Sequence, residues 1–113
     1  MSLTITAAKT SRSASLRLAG EVDYQSTGSF VDTVDELIGR RPAPADLHLD
    51  LSELTFCDPA GLSGLLLAHR RTSQAGVRLH LEHRPQFLDQ ILDITGTFEH
   101  LVTSNAAGET GVR

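Results

Sequence analysis

The strongest constraint on the fold is the way two hydrophobic periods alternate along the chain. Apolar residues occupy every second position in three segments, 15–18, 46–51 and 77–83. This spacing is typical of β-strands with one covered face. Other segments have apolar residues at helical spacing, the first over 30–38. Strands that alternate with helices predict an α/β fold with a mixed, mostly parallel sheet of four to five strands and crossover helices.

Glycines mark the ends of three predicted helices. The first ends by Gly39, the second spans 59–75, and the third spans 85–95 and stops before Gly96. Apolar spacing gives the second helix an inner face. Its predicted residues are Leu62, Leu65, Leu66 and His69. Leu67 falls beside this stripe and is expected at the surface.

The predicted sheet has one covered face and one wetter face. The core is expected to contain Leu47, Leu49, Leu79 and Leu81. The less covered face is expected to carry His48, Asp50, Arg78 and His80. Two segments with weaker alternation, 4–7 and 99–103, predict an edge strand and a last strand.

Composition limits both the domain count and the class of partner. The 113 residues are enough for one domain, expected over 1–104, with a mobile tail at 105–113. A net charge of −4 without a lysine-rich run argues against direct nucleic-acid binding. One cysteine excludes an internal disulfide, and no apolar stretch suits a signal peptide or a membrane span. We therefore expect a cytoplasmic protein without membrane insertion.

The segment that enters the second predicted helix carries the most chemical information. Asp58 is well placed as the N-cap, and Pro59 fits the first helical position, where no N–H donor is needed. Ala60 and Gly61 add almost no side-chain bulk. The result is a helix start with a positive dipole end at the carboxyl edge of a parallel sheet, where α/β folds place binding sites.

Three pieces of the sequence resemble the STAS family (sulfate transporter and anti-sigma factor antagonist). Residues 56–62, Phe-Cys-Asp-Pro-Ala-Gly-Leu, resemble its hallmark: an apolar pair, Asp, Ser or Thr, a small residue, Gly and Leu. Residues 18–23 resemble its Gly-Glu-Leu-Asp element, and residues 87–96 resemble the helix before its last strand. The pieces occur in family order and cover 3–103, so they imply a STAS-like fold.

The resemblance implies a protein-binding module of the anti-sigma factor antagonist type. Members of that branch bind an anti-sigma factor with a kinase fold and free a bacterial sigma factor for transcription. Phosphorylation of the residue after the hallmark Asp switches this partner binding off. The matching residue here is Pro59, which has no hydroxyl, so the usual phospho-switch cannot operate at this position. Ser63 is the nearest hydroxyl and a candidate substitute acceptor.

The implied partner-binding surface combines the loop before the first helix with the start of the second. Its residues are Asp23, Tyr24, Gln25, Ser26, Cys57, Asp58, Pro59, Ala60, Gly61, Leu62 and Ser63. Two of them also have structural interpretations. Asp23 is equally suited to cap the first helix. Cys57 is expected to be a small packing residue, because nothing nearby would lower its pKa toward that of a reactive thiolate.

Other functions stay open from the sequence. Small stand-alone STAS proteins also dock on transporter ATPases, so one alternative is an accessory subunit of an ABC-type lipid transporter; a scaffold in a stress-signalling assembly is another. No enzyme or cofactor is expected, because no base–nucleophile pair, phosphate loop or metal cluster is recognisable. His80 and His83 face opposite sides of a strand and cannot chelate a metal together. A homo-oligomer also stays open.

Overall fold

The computed structural model describes residues 2–103. Within them the chain forms four strands: β1 (Leu3–Lys9), β2 (Ser13–Val22), β3 (Asp46–Cys57) and β4 (Arg78–Glu82). Three α-helices accompany them: α1 (Thr27–Ile38), α2 (Pro59–Gln74) and α3 (Gln86–Ile94). A π-helical segment, Glu99–Thr103, follows α3. The predicted bounds of α2 and α3 are correct to within one residue.

The strands form one sheet in the order β1-β2-β3-β4. β1 pairs antiparallel with β2, whereas β2, β3 and β4 pair in parallel. The helix α1 connects β2 to β3, and α2 connects β3 to β4, as parallel pairing requires. The predicted mixed, mostly parallel α/β sheet is therefore confirmed, and the weak segment at 4–7 is its edge strand.

One face of the sheet is buried and the other is open. The inward residues of β3 and β4 that were predicted to be core are at most 7% exposed: Leu47, Leu49, Leu79 and Leu81. The opposite residues are half-buried or exposed: His48, Asp50, Arg78 and His80. Phe30 of α1, Leu65 of α2 and Leu88 of α3 join the same core as the leucines. The helices therefore pack on the leucine face, and the predicted register is confirmed.

The predicted last strand at 99–103 is wrong. The segment is π-helical, and the N–H of Leu101 donates to the carbonyl of Thr97 at 3.0 Å. Leu101 is fully buried in the core. A single inward side chain suits a helical turn as well as a short strand, so weak alternation over five residues could not distinguish the two. Within the described residues the sheet ends at β4.

Two further points concern membrane-spanning helices and the C-terminal tail. No helix in the described range is long and apolar enough to cross a membrane. The predicted tail at 105–113 lies outside the described residues.

Candidate functional site

Asp58 joins the start of α2 to the loop between β2 and α1. Its Oδ1 accepts a hydrogen bond from the backbone N–H of Gly61 at 2.7 Å, which confirms Asp58 as the N-cap. Its Oδ2 accepts from the backbone N–H of Tyr24 at 3.1 Å. Pro59 occupies the first helical turn, as predicted. One carboxylate therefore caps a helix and fixes a neighbouring loop.

The loop between β2 and α1 is held from within by Asp23. Its Oδ1 accepts hydrogen bonds from the backbone N–H groups of Gln25 and Ser26, both at 3.0 Å, and from the Ser26 hydroxyl at 3.1 Å. Burial alone would raise the pKa of Asp23, but the hydrogen bonds from Ser26 and Gln25 outweigh it and lower the pKa. The N-cap position of α1 is Ser26. Asp23 thus orders the loop that leads into α1 and is not its N-cap.

Two glycines allow α2 to approach its neighbours closely. A Cβ on Gly61 would overlap the backbone carbonyl oxygen of Val22, at the end of β2. A Cβ on Gly64 would overlap the hydroxyl of Thr27, at the start of α1. Gly61, the glycine of the hallmark segment, is therefore required for packing, because its lack of a side chain lets the start of α2 lie against the end of a central strand.

The predicted partner-binding residues divide by exposure. Four are exposed and form what we call the Asp58 surface: Tyr24, Gln25, Pro59 and Ser63. Four are half-buried: Ser26, Asp58, Ala60 and Leu62. Three are buried: Asp23, Cys57 and Gly61. Tyr24 is 72% exposed, unusual for a large aromatic residue. The structure brings the two predicted segments together, with the buried members beneath.

Cys57 is a buried packing residue at the end of β3. Burial, and secondly the nearby charge of Asp58, raises the pKa of its thiol to about 11. The thiol donates to the backbone carbonyl of Asp58 at 3.7 Å. A thiol with so high a pKa is protonated at neutral pH, which agrees with the prediction that it is not a nucleophile.

A groove between α1 and α2 borders the Asp58 surface, and the sequence reasoning missed it. Its volume is about 420 Å³. It is lined by Thr27, Gly28, Val31, Asp32, Ala60, Ser63, Gly64 and Leu67. Small residues on both helices leave the space open. Finding it from sequence would require knowing which faces of α1 and α2 meet, and each helix's own periodicity does not specify that.

The open face of the sheet carries a pair of stacked histidines. His48 and His80 are register partners on β3 and β4, with ring centroids 4.7 Å apart and ring planes at 14°. Nδ1 of His48 lies 2.6 Å from Oε2 of Glu82, and Nε2 of His80 lies 2.8 Å from Oδ1 of Asp46. The two histidines are thus cross-strand neighbours whose polar atoms are paired, on the face where they were predicted. Among the described residues, no cluster of His, Cys, Asp or Glu is arranged to hold a metal ion.

Solved structures share this fold, and three of them are described here. The anti-sigma factor antagonist SpoIIAA in its unphosphorylated form is 18% identical with a TM-score of 0.66, covering 80% of this chain and 82% of that one. An anti-sigma factor antagonist from Mycobacterium paratuberculosis is 18% identical with a TM-score of 0.71, covering 88% and 83%. A sulfate transporter family protein from Wolinella succinogenes is 17% identical with a TM-score of 0.67, covering 80% and 72%. At these identities the likeness establishes the fold alone.

The sequence itself matches a family model. No curated protein matches the chain. The model described as "Mlab, STAS domain" matches residues 5–103, which include every strand and helix of the site. The family resemblance of the three sequence pieces is thereby confirmed, and the chain belongs to the STAS domain family.

Proposed function

We propose that this chain is a non-catalytic protein-binding module of the anti-sigma factor antagonist type. It binds an anti-sigma factor with a kinase fold and so releases a sigma factor. The observation that carries the proposal is the Asp58 carboxylate, which joins the loop of Tyr24 to the start of α2 in one surface. Two of the solved structures with this fold are described as anti-sigma factor antagonists, which supports the choice of partner.

The physical character of the Asp58 surface suits protein recognition. Tyr24 presents a large ring with a polar hydroxyl, the kind of side chain that is enriched at the centre of protein interfaces. The loop beneath it is already ordered by the hydrogen bonds to Asp23 and Asp58. An ordered loop loses little conformational entropy on binding, so more of the contact energy appears as affinity.

Pro59 determines how this module is regulated. A phosphoryl group needs a hydroxyl acceptor, and its charge of about −1.5 to −2 would lie next to Asp58 in relatives that carry Ser or Thr here. Pro59 is exposed and offers no acceptor. The module therefore stays competent to bind in the presence of ATP, and its control lies in expression or in the supply of partner.

The proposal is tested by titrating a purified kinase-fold anti-sigma factor with the chain in a calorimeter. Tyr24→Ala is expected to weaken the affinity by roughly tenfold or more, as truncation of an interface hot spot does. Ile94→Ala is the matched control, because Ile94 is 83% exposed but lies on α3, outside the Asp58 surface. Absence of binding, or equal weakening by both variants, contradicts the proposal.

A second candidate is an accessory subunit of an ABC-type lipid transporter. Two findings favour it. The matching family model is described as Mlab and not as an antagonist, and one structure with this fold is of a sulfate transporter family protein. The absence of a phosphoacceptor at Pro59 suits a permanent subunit equally well. A pull-down from the native cell with protein identification separates the candidates: an anti-sigma factor supports the first, and a transporter ATPase supports the second.

A further inference from the structure

The sheet has two edges, and β1 lies at one of them. Within the described residues β1 pairs on one side only, antiparallel with β2, and the order of strands puts β4 at the opposite edge. A strand that pairs on one side presents a row of N–H and C=O groups on the other. Such a row is a template for pairing with a strand of another chain.

The hydrogen bonds at the two ends of β1 identify which residues face the outer edge. The N–H of Glu21 donates to the carbonyl of Ser2 at 3.1 Å, and the N–H of Thr10 donates to the carbonyl of Ser13 at 2.8 Å. Hydrogen-bonded pairs alternate with non-hydrogen-bonded pairs in an antiparallel ladder, so the even-numbered residues of β1 bond to β2. The odd-numbered residues therefore direct their N–H and C=O groups outward: Leu3, Ile5, Ala7 and Lys9.

The two edges differ in the features that normally prevent strand pairing. Natural edge strands are protected by short length, charged side chains, proline or a β-bulge. β4 has five residues, of which Arg78 and Glu82 are charged, and His83 after it has a φ of 57°, outside strand geometry. β1 has seven residues, no proline and an unbroken register with β2. Its charged residue, Lys9, is at its end, so most of this edge is unprotected.

The outward residues of β1 also carry apolar side chains that the chain covers incompletely. Ile5 lies opposite Leu18, which is fully buried, so the odd-numbered side chains of β1 point to the core face of the sheet. Leu3 and Ile5 pack against the core but are only half-buried, and Ala7 is exposed. A further strand beside β1 would extend this face and remove more apolar surface from water.

We propose that β1 pairs antiparallel with β1 of a second copy of this chain, about a two-fold axis at Thr6. In this register each outward residue meets an outward residue of the other copy: Ile5 lies opposite Ala7, and Leu3 lies opposite Lys9. The strand is self-complementary, because the two Lys9 residues lie at opposite ends of the paired segment and no like charges are opposed. The two Thr6 side chains meet on the open face of the sheet, as a favourable cross-strand pair. This inference does not depend on the anti-sigma factor proposal.

The first test measures self-association of the full chain by sedimentation velocity over a series of concentrations up to the limit of solubility. We expect the mean mass to rise from that of one chain toward that of two. Association that follows this pattern shows a dimer, and disulfide trapping then tests its register.

The two-fold axis makes Thr6 the position to trap. Opposed Thr6 residues form a non-hydrogen-bonded pair with Cα atoms about 4.5 Å apart, a distance that a disulfide spans. Thr6→Cys is therefore expected to give a covalent dimer on a non-reducing gel. Thr4→Cys is the matched control, because Thr4 is also exposed on the same face but lies roughly 13 Å from its counterpart, at about 3.3 Å per residue. The wild-type chain, whose Cys57 is buried, gives the background.

Two variants at Ala7 test the edge itself. Ala7→Pro removes an outward N–H from both copies and should weaken dimerisation about tenfold or more. It should keep the fold, since the N–H of Ala7 points away from β2, and circular dichroism checks this. Ala7→Lys adds the charge that protects natural edges and should weaken dimerisation similarly. Gln90→Lys adds the same charge at an exposed position of α3 and should leave dimerisation unchanged.

A dimer with this pattern of cross-linking and weakening supports the pairing of β1 with β1. The mass of a single chain at every concentration overturns it. Equal cross-linking of the two cysteine variants, or equal effects of Ala7→Lys and Gln90→Lys, overturns it as well.

Discussion

Replacing Asp58 with alanine removes two hydrogen bonds that hold different parts of the site. Loss of the cap to the Gly61 N–H should cost about 0.5–2 kcal/mol, the usual range for an N-cap. Loss of the bond to the Tyr24 N–H should cost about 0.5–1.5 kcal/mol, because water can replace the carboxylate at this exposed group. The sum, about 1–3.5 kcal/mol, is a large part of the 5–15 kcal/mol that stabilises a typical domain.

Asp58→Asn is the matched control for this prediction. Asparagine is a good N-cap and keeps one oxygen for Gly61, but its amide nitrogen cannot accept a hydrogen bond from Tyr24. Urea unfolding should therefore show a larger loss of unfolding free energy for Ala than for Asn, at an unchanged m value. Equal losses in the two variants, or a loss below about 0.5 kcal/mol for Ala, would refute the double role of the carboxylate.

Three further predictions follow from local geometry. Gly61→Ala should destabilise the protein by about 1–3 kcal/mol in urea unfolding, because its Cβ would overlap a backbone carbonyl. Gly28→Ala is the control, because no heavy atom lies within 4 Å of the new Cβ. It should be neutral or stabilise the protein by up to about 1 kcal/mol. Cys57 should react with a disulfide reagent far more slowly in the folded protein than in urea. Its pKa of about 11 leaves roughly a hundredfold less thiolate at pH 8 than an ordinary cysteine has. Equal reaction rates in the folded and unfolded protein would contradict the burial of Cys57. The pKa of Asp46 is lowered, chiefly by its hydrogen bond with His80. The ionised carboxylate therefore stabilises the folded protein fully at pH values above the ordinary pKa of 3.8, and this stabilisation is lost as the pH falls through the lowered pKa. Asp46→Asn should accordingly reduce stability at pH 7 and have progressively less effect below about pH 4. A constant difference at all pH values would show that the ionisation of Asp46 is not linked to stability.

The parts of the fold that sequence could predict are those with a strong local signal. The alternation of β3 and β4 predicted which residues are buried, because a period of two leaves only one register with all the leucines inward. Asp58 followed by Pro59 predicted the first residue of α2, because an N-cap and a proline both favour a helix start at the same place.

The parts that sequence could not predict depend on contacts between distant segments. The hydrogen bond from the Tyr24 N–H to Asp58 crosses 34 positions of the chain. The groove between α1 and α2 depends on how two helices pack against each other. The segment Glu99–Thr103 was assigned to the wrong class because its one buried side chain, Leu101, suits either structure.

The proposed antagonist binds a kinase-fold anti-sigma factor and is not switched off by phosphorylation at the hallmark position. The most direct test forms this complex, adds magnesium and ATP, and follows it by size-exclusion chromatography and intact-protein mass spectrometry. The chain is expected to stay bound and unmodified. The positive control, Pro59→Ser, is expected to gain one phosphate and dissociate, since serine is well tolerated near a helix start. A stoichiometric phosphate on Ser63 accompanied by dissociation would contradict the permanent competence of the module, and failure to form the complex without ATP would contradict the antagonist function itself.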